Sequence, residues 1–129
     1  MSTAIVYIDH SEVRAGQLEA LRLAIDELVA FVRANEPQLI AYNFYLSEDG
    51  RQMSVVAVHP DAASLALHMR VAGPLFGRFQ PLIRLTRIEA YGELGAELRA
   101  QLQKKAELLG AAEVRVLPHH AGFARFGAG

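Results

Sequence analysis

The sequence predicts a single α+β domain in the order β-α-β-β-α-β, with an antiparallel sheet and an added C-terminal helix and short strand. Short β-branched and aromatic runs recur at residues 4–8, 39–46, 53–59 and 82–91. Helical apolar spacing fills two of the gaps between them, and Asp49-Gly50 joins the middle two runs as a hairpin would. This is the ferredoxin-like arrangement. Residues 1–92 hold it, and residues 93–129 are expected to pack on the same domain as a helix and strand extension.

The first strand is Ala4-Ile5-Val6-Tyr7-Ile8, followed by polar Asp9-His10-Ser11. A long helix is expected from about Glu12 to Asn35, because Leu18, Leu21, Ile25, Leu28 and Val32 form one apolar stripe. Pro37 stops it. Residues 39–46 and 53–59 pair across Ser47-Glu48-Asp49-Gly50, which puts Ile40, Tyr42, Phe44 and Leu46 on one face with Val55, Ala57 and His59. Asn43 and Tyr45 share the other face with Val56 and Val58. Asp61 is a plausible N-cap for a second helix carrying Ala62, Leu65, Ala66 and Met69, which Gly73-Pro74 is expected to end. Leu82 to Tyr91 reads as the fourth strand, with Arg84 and Arg87 on opposite faces and Glu89 as the natural partner of Arg87. A helix from about Glu93 to Leu109 closes at Gly110, and Val114 to Leu117 forms a fifth strand. Phe123 and Phe126 suggest a tail that packs on the body.

Composition bounds the chemistry. Of 129 residues, 52% are hydrophobic and 21% charged, as in one ordinary globular domain. There is no cysteine, which excludes zinc ribbons, iron–sulfur clusters and thiol catalysis and agrees with a reducing compartment. Thirteen basic against fourteen acidic residues give a formal charge of −1, so no overall field gathers nucleic acid or an anionic membrane. The apolar N-terminal run is too short for a signal or spanning segment, and a cytoplasmic location is expected. Apolar side chains on both faces of Ile5-Val6-Tyr7-Ile8 and Val55-Val56-Ala57-Val58 call for a cover on the sheet face that helices leave open. A second copy packed face to face, making a homodimer, is the expected cover, and the third helix is the alternative.

Val32-Arg33-Ala34-Asn35-Glu36-Pro37, then Ala41 to Leu46, Asp49-Gly50, and Asp61-Ala62 to His68 resemble the antibiotic biosynthesis monooxygenase superfamily. The resemblance covers about the first seventy residues, and it implies a dimeric α+β barrel with a cavity between sheet and helices. Some members use that cavity for polycyclic aromatic, quinol or haem ligands. It implies a cofactor-independent monooxygenase acting on, or a module binding, a small hydrophobic or aromatic ligand. The chain has no tryptophan, which haem-degrading relatives place in the pocket.

His68 falls where the resemblance places the family's histidine, and it is the candidate base, with Asn43 as the candidate group that orients a substrate carbonyl or enolate. Tyr45, Met69 and Leu65 are the candidate substrate contacts. Tyr42 and His59 read first as dimer core. Adjacent His119 and His120 point in opposite directions on an extended chain, so no metal site is expected. Gly73-Pro74-Leu75-Phe76-Gly77 lacks the residues of a phosphate loop, and no cofactor is expected.

Overall fold

Along β1 (Ile5–Val13), buried Ile5, Tyr7, Asp9 and Ser11 alternate with half-exposed or exposed Val6, Ile8, His10 and Glu12. That period of two fixes one face of the strand inward. The same alternation runs through β3 (Gln52–His59), with Met53, Val55, Ala57 and His59 buried. The chain continues as α1 (Leu18–Asn35), β2 (Ala41–Leu46), β3, α2 (Ala62–Phe76), a 3-10 turn (Gly77–Phe79), β4 (Ile83–Tyr91), α3 (Ala96–Leu109) and β5 (Glu113–Leu117). These assignments come from a computed structural model that describes residues 4–110 and 113–126.

The five strands form one mixed sheet in the order β2-β3-β1-β4-β5, antiparallel except for the parallel β4–β5 pair. Tyr42 pairs with Ala57 and Phe44 with Val55, the register expected from the hairpin. Gly50 sits at φ 71° in that turn, a backbone region that favours glycine. All three helices cover the face that carries Tyr7, Asp9, Tyr42, Phe44 and Val55. Leu28 of α1, His68 and Phe76 of α2, and Lys105 and Leu109 of α3 meet those residues around one interior chamber. The third helix therefore does not cover the other face, and Val6, Ile8, Val56 and Val58 lie there with no helix over them.

Several boundaries differ from expectation, each for a physical reason. The first strand runs on to Val13 because the polar side chains of Asp9 and Ser11 take the buried face, which interrupts the apolar signal of a strand. The helix then starts at Leu18. Residues 39 and 40 precede the second strand, although the Ile40 amide still donates to the Val58 carbonyl at 3.0 Å. The second helix passes through Gly73-Pro74 to Phe76. A proline in the last turn of a helix forgoes a bond without blocking what lies before it. Asp61 does cap that helix, accepting from the Ser64 amide at 2.9 Å.

In β4 the pairing with β1 skips Thr86: Ser11 faces Leu85 and His10 faces Arg87. This bulge resets the alternation, so Arg84 and Arg87 share the open face instead of opposing one another. Arg84 pairs there with Glu12, and Arg87 lies 3.2 Å from Glu89.

The C-terminal helix is bound by Leu98, Leu102, Ala106 and Leu109, all buried. Gly110 ends it where an added Cβ would lie 2.7 Å from the Leu85 carbonyl, so close packing on β4 requires the glycine. Beyond β5 the tail lies exposed: Phe123 is 80% exposed and its ring stacks with Arg125, not with the body. No helix among the described residues is long and apolar enough to cross a membrane.

Candidate active site

Neighbouring strands lie side by side on the helix-covered face, and the register places Tyr42, Ala57 and Tyr7 in one row. The small alanine leaves a gap between two tyrosines that stand roughly 10 Å apart, two strand spacings. Val55 separates Phe44 from Asp9 in the next row. The three helices close over this gap and leave a chamber of about 30 Å3. That is room for roughly two water molecules.

Two buried polar clusters reach the chamber, one through His68 and the other through Tyr7, Asp9 and Lys105. His68, from the middle of α2, approaches Glu36 at the end of α1, with Nδ1 at 2.9 Å from both carboxylate oxygens. The His68 side chain is 5% exposed and that of Glu36 0%. Glu36 reaches this position because α1 ends there and the chain turns inward before Pro37, with the Glu36 amide still donating to the Val32 carbonyl. A carboxylate only accepts, so Nδ1 carries the proton, and Nε2 is the ring nitrogen left for chemistry. Tyr42, Phe76 and His59 surround the imidazole with centroids 5.1, 5.7 and 5.7 Å away.

The second cluster comes from β1 and the C-terminal helix. The Tyr7 hydroxyl donates to Asp9 Oδ2 at 2.6 Å, and Lys105 Nζ donates to the Tyr7 oxygen at 2.7 Å and to Asp9 at 3.2 Å. Nζ also lies over the Tyr7 and Phe76 rings, at 4.8 and 4.3 Å from their centroids. A lysine in so dry a place is held by its carboxylate and its aromatic neighbours together.

Electrostatics tie the clusters to one interior. Burial, then the Asp9 carboxylate, raises the Tyr7 hydroxyl well above the ordinary phenol range. Burial, then both Asp9 and Glu36, does the same for Tyr42. Both phenols are thus neutral hydrogen-bonding groups at physiological pH. His59 behaves differently: burial, then neighbouring His68, lowers it to about 4. Gln38 donates to Ser64 Oγ, which leaves the Ser64 hydroxyl to donate to His59 Nδ1 at 2.7 Å. His59 is then a neutral ring with its Nε2 buried and unpartnered among the described residues.

The structure brings His68 to the chamber and separates it from the other residues expected beside it. Asn43 and Tyr45 lie on the open face of β2, both exposed, because strict alternation sends them away from Tyr42 and Phe44. Leu65 is fully buried but does not line the chamber, and Met69 faces a separate groove between α2 and α3. Tyr42, expected in a dimer core, instead stands beside His68. Tyr7, Asp9, Glu36 and Lys105 were not singled out for chemistry by sequence reasoning. Asp9 carried a usable signal, since an acid at an inward position of a central strand needs a buried partner.

No protein-family model and no curated protein matches the chain. Solved structures do match. MupZ from Pseudomonas fluorescens aligns over 95% of both chains with a TM-score of 0.73 and 20% identity, so the likeness runs through the C-terminal extension. SnoaB, a cofactor-independent oxygenase from Streptomyces nogalater, aligns over 74% of this chain and 97% of its own, with a TM-score of 0.60 and 13% identity. A Bacteroides thetaiotaomicron protein described as a candidate antibiotic biosynthesis monooxygenase aligns over 64% of this chain and 85% of its own, at 0.54 and 13%. The chain has the antibiotic biosynthesis monooxygenase fold. SnoaB and the Bacteroides thetaiotaomicron protein cover no more than about three-quarters of this chain, and Lys105 lies on α3.

Proposed function

We propose that the chain is a small cofactor-independent oxygenase that takes a phenol or quinol into the chamber. The observation that carries this reading is His68, paired with buried Glu36, on the wall of the same chamber as Tyr42, Tyr7, Asp9 and Lys105. His68 Nε2 accepts the phenol proton while Glu36 steadies the imidazolium through Nδ1. Neutral Tyr42 and the Lys105 ammonium are the donors for the phenolate oxygen. Dioxygen adds at a ring carbon bearing hydrogen and takes up a proton, giving a hydroperoxide. Loss of water then leaves the quinone, so that one phenol and one dioxygen yield one quinone and one water. The protein supplies acid, base and a dry site, and electrons pass from substrate to oxygen.

The open face of the sheet supports the homodimer as part of this proposal, since Val6, Ile8, Val56 and Val58 are most simply covered by a second copy. A second reading, a non-catalytic dimeric ligand-binding or structural module, is favoured by the small volume of the chamber. An aromatic substrate enters only if the helices part.

Oxygen uptake with a panel of phenols and quinols separates the two. The oxygenase reading predicts uptake matched by quinone formation, falling by about 100-fold or more in His68→Gln, as loss of a general base does. Absence of uptake with every member of the panel, in folded protein that binds one of them, establishes the non-catalytic reading.

A further inference from the structure

A groove of about 230 Å3 lies outside the chamber, between α2 and α3. Its wall includes Met69, Arg70 and Phe76 from one helix and Lys104, Lys105 and Leu108 from the other. Phe76 and Lys105 also line the chamber, and Nζ sits 4.3 Å above the Phe76 ring. Those two side chains therefore stand between the groove and the chamber. The groove's wall holds three cations and no carboxylate. Lys105 is committed to Asp9, while Arg70 and Lys104 form no ion pair among the described residues. Leu108, beside Lys104, is 42% exposed.

The α2 side of this boundary has reason to move. Pro74 lies inside α2 and cannot donate to the Arg70 carbonyl, so the turn that carries Phe76 is short of one bond. Gly73 precedes it, and a Cβ added there would meet nothing within 4 Å. Gly73 itself lines the groove, so the absence of a side chain there leaves the groove wall open.

We infer that the groove between α2 and α3 is the entry and holding site for an amphipathic anion. Its carboxylate, sulfonate or phosphate rests between Arg70 and Lys104, and its apolar or aromatic end passes Phe76 and Lys105 into the chamber. The inference rests on the chamber being a ligand site, as proposed above, and assigns the class of ligand it takes.

Calorimetry on the full chain tests it with 1-naphthoate as the anionic probe and 1-naphthol as the neutral one. Naphthoate binds more tightly, and added salt weakens it. Arg70→Glu with Lys104→Glu weakens naphthoate about tenfold or more and leaves naphthol within about twofold, as two exposed charge contacts reversed in sign require. Gly73→Ala adds a methyl to the groove wall, so it raises thermal stability and slows naphthoate association in stopped flow. Absence of oxygen uptake with phenols in native protein that still binds naphthoate with the same dependence on Arg70 and Lys104 tells failure of the catalytic reading apart from failure of this one. Equal affinity for the two probes, indifference of naphthoate to charge reversal, or no binding of either overturns the inference.

Discussion

Replacing Lys105 with methionine removes one charge from the chamber while keeping an unbranched side chain of similar length. In the native chain the side chains of Lys105 and Asp9 are only 9% and 4% exposed, and they are 3.2 Å apart. The substitution leaves the Asp9 carboxylate buried with the Tyr7 hydroxyl as its remaining donor. Breaking a buried pair from one side costs about 3–5 kcal/mol. For a chain of this length that lowers Tm by roughly 10–20 °C. Asp9→Asn alone strands the ammonium and is similarly harmful, whereas the double substitution removes both charges and recovers more than half of the loss. Urea unfolding of the four proteins, followed by circular dichroism, yields the coupling directly, with at least about 2 kcal/mol expected. A loss below about 1 kcal/mol in Lys105→Met, with no coupling to Asp9, refutes the contact and the role given to α3 in the site.

Three further outcomes follow from the same structure. His59 sits at about 4 when folded and at about 6.5 when unfolded, so the unfolded chain binds the extra proton between those values. Its contribution is complete above the unfolded value and is lost as pH falls, by about 2 kcal/mol between roughly pH 7 and pH 5; His59→Asn flattens that part of the urea-derived stability profile, and an unchanged slope contradicts it. Truncation after Tyr91 removes buried Leu94, Leu98, Leu102 and Leu109, each worth about 1.5–3 kcal/mol, and abolishes stable folding in thermal melts. Truncation after Leu117 removes residues 118–126, exposed among the described residues, together with the last three, and shifts the melt little. The proposed homodimer gives twice the chain mass in sedimentation equilibrium at micromolar concentration, and Ile8→Asp on the open face gives monomer, since dimerisation would bury the new charge.

How much was legible differs between the fold and the site. The order of elements along the chain, the hairpin register and the Asp61 cap follow from local rules, because alternation and turn chemistry act over a few residues. Boundaries failed where tertiary structure overrode those rules. Asp9 and Ser11 read as the end of a strand, yet Asp9 points inward to meet Lys105, almost a hundred residues later, and Ser11 follows on the same face by alternation with its Oγ unpartnered among the described residues. Thr86 reads as an ordinary strand residue, and its bulge is visible only when β1 is laid beside it.

The site was divided for a related reason. Period two separates the residues of β2 into two sets, but it does not say which set the helices cover. The polar set, Asn43 and Tyr45 with Ser54, belongs to the open face. The nearly uniform set of Tyr42, Phe44, Met53 and Val55 belongs under the helices, and that contrast was available in the sequence. Glu36 was visible only as part of a motif, since a glutamate at a helix end before proline is ordinarily solvated.

The proposed functional site is the helix-covered chamber and not the open sheet face. Backbone and imidazole chemical shifts, recorded as 1-naphthol is titrated into the isotopically labelled protein, test it most directly. Saturable changes are expected at His68, Tyr42, Tyr7, Phe76 and Lys105, with His10, Asn43, Tyr45 and Ser54 unmoved. Changes confined to the open-face residues, with the His68 ring silent through saturation, contradict it.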